Sequence, residues 1–113
     1  MVVKTLDAAI RDGDKIYATI LGTGINTSGS LAPVNAPVAL AQMDAMKRAF
    51  AMAGRKPQEV DFLELHATGT ASGDPTEANW VGEEFKREDE LLIGSVKGNV
   101  GYVTRRQFAG MKR

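Results

Sequence analysis

The segment from Val60 to Lys97 constrains the fold of this 113-residue chain more than any other. Two short apolar runs, "VDFLEL" and "ELLIGSVK", have the length and composition of strands, and the residues between them carry the punctuation of a helix. Asp74, Pro75 and Glu77 supply an N-cap, a first-turn proline and a box-type acidic partner, predicting a helix from Pro75 to about Arg87. Upstream, "KIYATILG" alternates Ile16, Ala18 and Ile20 against Tyr17, Thr19 and Leu21, with both faces apolar enough to be covered, as in a buried strand. Pro37 starts another helix through about Ala53, with Met43, Met46, Phe50 and Ala53 along one face and Gly54 and Pro57 ending it. The methionines read as core filling rather than a ligand box. Strand, helix, strand, helix, strand predicts an α/β fold, a mainly parallel sheet with covering helices.

At the start, "TLDAAIRD" reads as the last turns of a helix closed by Gly13, so the helix is expected to begin further upstream. "GTGINTSGSLAPVNAP" is a long loop, ordered because apolar residues interrupt it, and "GNVG" is a tight turn.

Composition removes several functions. Lysine and arginine number 14 and aspartate and glutamate 14, so no global field draws the chain to nucleic acid or to an acidic membrane. The absence of cysteine excludes disulfides, thiolate metal sites and a cysteine nucleophile on this chain. No stretch has the length and apolarity of a membrane span, and the first residues lack the pattern of a secretory signal, so a soluble, cytoplasmic setting is expected.

His66, the single histidine, stands where the apolar run of its strand stops, and Lys97 closes the later strand. Both would project from the carboxyl edge of one parallel sheet, where ligands meet such sheets. The ring could be purely structural, held by backbone bonds. Alternatively, a neutral imidazole among glycines can donate to a developing oxyanion, with the Thr68 and Thr70 hydroxyls flanking a polar chain. A metal site would need Glu64, Asp74 or Glu77 beside His66, but the latter two acids are better used as helix caps, so no metal is expected. "GTG" at 22–24 and "TGT" at 68–70 lack the lysine and helix start of a phosphate loop. Lys97 could equally be a solvated lysine.

"FLELHATGTASGDPTEA" and "LLIGSVKGNVG", with "DGDKIYATILGTGINTSGS" upstream, resemble the β-ketoacyl synthases, and among them the ketosynthases of multidomain polyketide synthases. The resemblance covers about residues 5–101, so residues 1–113 are expected to form part of a ketosynthase domain with a divergent tail at 102–113. It implies a partial thiolase-like fold, a homodimer for the complete domain, and decarboxylative condensation of acyl and malonyl thioesters carried on an acyl carrier protein in polyketide or fatty acid biosynthesis. The family uses a cysteine nucleophile and two histidines. His66 matches the first histidine, Lys97 the lysine that supports the second, and Thr68 and Thr70 the threonines that contact the phosphopantetheine arm. The thioester arm belongs to the substrate protein, so no cofactor is expected on the chain itself. Asn99 matches a turn residue.

Two departures accompany the match. Tyr102 stands where the family pattern has its second histidine, and a phenol, though a neutral donor, reaches farther from the backbone. Beyond it, "VTRRQFAGMKR" places Arg105 and Arg106 where the family has a buried helix of small residues, so the tail is expected not to pack in that way. From Leu91 onward five basic residues stand without an acid, read as a solvated terminus or a contact for an acidic carrier protein. Without a cysteine or the second histidine the chain is expected to be inactive alone. The alternatives are a non-catalytic module binding a carrier protein or full-length homologue, or a truncated product without separate function.

Overall fold

The computed structural model describes residues 2–29, 33 and 36–102. The expectations for Arg105, Arg106 and the basic residues beyond Tyr102 lie outside the described residues. In chain order the elements are α1 (Leu6–Arg11), α2 (Ala39–Ala53), a 3-10 turn at Pro57–Glu59, β1 (Phe62–Glu64), α3 (Gly73–Glu84), β2 (Leu92–Gly94) and α4 (Lys97–Val100). β1 and β2 pair in parallel, Phe62 beside Leu92 and Glu64 beside Gly94, with α3 as the crossover. The Leu65 N–H extends the ladder to the Gly94 carbonyl at 2.8 Å.

The core sits between α2 and α3. Phe85, 3 % exposed, closes the end of α3 and meets Phe50 edge-on at 5.9 Å, with Trp80 tilted against it at 6.4 Å. Such aromatic contacts add about 0.5–1.5 kcal/mol to the burial of the rings. Along α2, Met43, Met46, Phe50 and Ala53 are half-buried while Lys47, Arg48 and Met52 are exposed, as the predicted face requires. Gly54 ends the helix in the left-handed conformation at φ 63°, a geometry that costs any residue with a Cβ. Polar bonds join the two helices: Trp80 Nε1 donates to Gln42 Oε1 at 2.6 Å, and Lys47 pairs with Glu84 at 2.8 Å.

Arg87 ties the sheet's entry side together. Its guanidinium, in a side chain only 14 % exposed, donates to the Val60 carbonyl at 2.5 Å and the Gln58 carbonyl at 2.8 Å, and pairs with Asp89 at 2.9 Å. The connection into β1 is thereby fixed to the connection into β2.

The expected strand over "KIYATILG" is corrected. Residues 14–28 form no helix and join no ladder among the described residues, and Tyr17 is 86 % exposed. The segment packs instead on α2 through its glycines. A Cβ at Gly22 would run into the Ala49 carbonyl oxygen, and one at Gly24 into that of Ala45, while Asn26 Nδ2 donates to Asp44 at 2.5 Å. It therefore runs antiparallel to α2, and "GTG" is a close-packing motif. "GNVG" likewise forms the helical turn α4 rather than a plain tight turn, its N–H groups returning to Ser95, Val96 and Lys97 carbonyls. Among the described residues no helix is long and apolar enough to cross a membrane.

Candidate functional site

His66 follows β1 by two residues, and Lys97 opens α4 three residues beyond β2, so both stand past the carboxyl ends of paired parallel strands. The loop between β1 and α3 carries His66 through a sharp reversal: Ala67 adopts φ 36° and Gly69 φ 79°. A positive φ in alanine is strained and persists only where surrounding bonds hold it.

The acids of α3 supply those bonds. Glu77 accepts the His66 N–H on one carboxylate oxygen and the Ala67 N–H on the other, both at 2.8 Å. Asp74 accepts the Gly69 N–H at 3.1 Å on both of its oxygens. This corrects their expected use as N-cap and box partner: α3 begins at Gly73, and Ser72 at its cap makes no side-chain cap bond. The physical reason is that the left-handed residues turn loop N–H groups towards the helix start, where carboxylates are also favoured by the helix dipole. Thr70 takes over part of the capping, its Oγ1 accepting the Gly73 N–H at 3.0 Å and lying 3.4 Å from Thr68 Oγ1. Glu64, the third acid weighed for a metal, accepts the Val96 N–H at 2.6 Å and so ties β1 to the start of α4.

A cavity of about 390 Å³ opens between this loop and the start of α2. His66, Thr68, Thr70 and Tyr102 line it, with Gln42 and Pro37 on the α2 side. The His66 and Tyr102 rings meet edge-on, centroids 5.9 Å apart and planes at 82°. Tyr102 arrives there through α4 and Gly101, whose φ of 76° turns the chain towards His66. Lys97 is not part of the cavity wall; it stands half-buried at the opposite end of α4 from Tyr102. The arrangement offers an imidazole, a phenol and two hydroxyls, groups able to donate hydrogen bonds to a carbonyl or an enolate oxygen.

Sequence patterns had assigned neither Gln42 nor the loop-holding roles of Asp74 and Glu77. The acids at "DPTE" were visible as a helix-start signal, but which N–H groups they serve depends on the backbone reversal at Ala67.

Residues 17–105 match the family model described as the β-ketoacyl synthase, C-terminal domain. A highly reducing polyketide synthase, stpks1, from Strobilurus tenacellus is 63% identical over 102 residues, covering 90% of this chain and 4% of that protein. The highly reducing polyketide synthase srdA from Neurospora crassa is 45% identical over 104 residues, again 90% of this chain and 4% of the relative. Among solved structures, the ketosynthase from module 6 of the bacillaene synthase of Bacillus subtilis 168 superposes with a TM-score of 0.79 at 37% identity, over 86% of this chain and 18% of that one. The chain thus spans a small fraction of the length of the proteins it matches.

Proposed function

Because the chain belongs to the β-ketoacyl synthase family, with the thiolase-like fold of its solved relatives, we propose that it is the portion of a ketosynthase that stabilises the enolate formed when a malonyl thioester loses carbon dioxide. The observation that carries this reading is the convergence of His66, Thr68, Thr70 and Tyr102 on one cavity beyond the carboxyl ends of β1 and β2. In decarboxylation the bond between the carboxylate carbon and the α-carbon breaks, carbon dioxide leaves, and the electron pair passes onto the thioester oxygen. A preorganised N–H from His66 beside that oxygen lowers the barrier because it gains strength as the charge develops. The enolate carbon would then attack an acyl thioester and expel its thiolate, and that acyl group needs a cysteine that this chain does not contain.

Tyr102 takes the place of the family's second histidine, and Lys97 that of its supporting lysine, although Lys97 stands outside the cavity wall. Thr68 and Thr70 flank the phosphopantetheine arm, which arrives on an acyl carrier protein, so the chain itself holds no cofactor. The complete domain works as a soluble, cytoplasmic homodimer.

A second reading, a non-catalytic module that binds a full-length homologue, is favoured by one observation: Ile16, Tyr17, Ile20 and Leu21 are exposed together on a segment that joins no ladder among the described residues.

The test uses the unique histidine. Malonyl-loaded carrier protein is expected to shift the His66 ring resonances, and the shift is expected to disappear with the unloaded protein lacking its phosphopantetheine. Unmoved His66 resonances at saturating carrier protein overturn the assignment.

A further inference from the structure

We propose that Gln42 is a further ligand-contacting residue of the His66 cavity, its side-chain amide donating to a carbonyl of an uncharged, amide-bearing thioester arm; that the ligand is such an arm rests on the ketosynthase reading above. Gln42 lies on α2 and lines the cavity across from Thr68 and Thr70. Its orientation is determined. Trp80 Nε1 lies 2.6 Å from the Gln42 side-chain oxygen, and an indole N–H can only donate, so the atom facing it must be the oxygen. The Gln42 NH2 group is therefore turned the other way, and among the described residues it has no hydrogen-bond partner.

The chemistry of the wall says what that amide would meet. Asp74 and Glu77 both border the cavity and no lysine or arginine does, among the described residues, so no cation on its wall would pair with the charge of a phosphate. Thr70 Oγ1 already accepts the Gly73 N–H, so across the 3.4 Å contact of Thr70 with Thr68 one hydroxyl donates to the other and one hydroxyl hydrogen of the pair remains for a ligand. Donors on both walls with no cation suit a neutral chain carrying carbonyl acceptors, with any phosphate left outside. Trp80 thus acts as the positioning residue that holds the Gln42 donor towards the ligand.

The experiment is a titration of this chain with pantetheine, which carries the amide groups without the phosphate, followed through the side-chain amide resonances of Gln42 and the ring resonances of His66. Both sets are expected to shift with a single dissociation constant. Gln42→Glu, which keeps an acceptor for Trp80 but offers no donor, is expected to weaken binding roughly tenfold. Unchanged affinity in Gln42→Glu, with His66 still shifting, overturns the role of Gln42 and leaves the reading of the cavity standing. Absence of any shift at His66 overturns both. If the variant loses its fold, the native protein decides: Gln42 amide resonances that stay still while His66 moves overturn the proposal.

Discussion

At the scale of single residues, the His66–Tyr102 pair decides how the imidazole is presented. Rings 5.9 Å apart at 82° restrict each other, and each lies in the other's ring-current field. Tyr102→Ala is expected to move the His66 ring proton resonances and broaden them, while Tyr102→Phe, which keeps the ring and loses only the hydroxyl, leaves them nearly in place. Equal effects of the two substitutions would show that the contact runs through the hydroxyl. Arg87 matters in a different way. Its hydrogen bond holds the Asp89 carboxyl below its ordinary value of 3.8, with Asp89's own backbone N–H contributing second. A depressed folded value means stabilisation that is present above the ordinary value and lost as pH falls through the folded one. The thermal midpoint is therefore expected to drop as pH is lowered below that range, and Arg87→Ala is expected to flatten this acid limb. The same substitution removes the donors to Val60 and Gln58, so it also costs about 1–3 kcal/mol at neutral pH, measured by denaturant unfolding.

At the scale of elements, the loop between β1 and α3 shows what can and cannot be seen in the residues. A helix start near Asp74 was legible from acid, proline and acid in the right spacing, and the helix begins at Gly73. The destination of the carboxylates was not, because it depends on the positive φ of Ala67, which no local pattern signals. "KIYATILG" reads as a buried strand but joins no ladder among the described residues, since alternation reports a residue's preferred conformation and says nothing about whether a ladder partner is present. "GSVK" continues the apolar run and so reads as a strand ending at Lys97, yet the backbone bonds of Gly98, Asn99 and Val100 wind it into α4. The β1–α3 loop also gives a prediction. Glu77→Ala is expected to destabilise the chain by about 1–2 kcal/mol, since the two orphaned N–H groups are only partly shielded from water. Amide exchange at His66 and Ala67 is expected to accelerate by at least roughly tenfold, with Glu77→Gln intermediate because it keeps one acceptor. Unchanged exchange at both positions would mean that the loop is held by something other than this carboxylate.

At the scale of the whole molecule, few side chains are enclosed. Among the described residues only Ala9, Val81 and Phe85 are buried, while Ile20, Leu92 and Ile93 are each more than half exposed. Apolar surface on this scale favours association, so sedimentation of the isolated chain is expected to show self-associated species, and a compact monomer with a sharp cooperative melt would contradict this. The residue types present set a limit on chemistry as well. Condensation requires an acyl thioester on the enzyme, and a chain without cysteine cannot form it. Decarboxylation requires donors for the enolate oxygen, and on the function proposed above Tyr102, edge-on to His66, replaces a second imidazole. Losing one such donor typically costs about 2.7–4 kcal/mol, or roughly 100-fold to 1,000-fold in rate, so decarboxylation of a malonyl thioester is expected to stay near background. Tyr102→His is expected to raise that decarboxylation without restoring condensation, because the electrophile is still missing. Mass spectrometry of the carrier protein reads both steps separately, as loss of carbon dioxide from the malonyl form and as gain of a β-ketoacyl group. A β-ketoacyl product formed by the purified chain would show that it acquires an acyl group by a route that needs no thiol of its own.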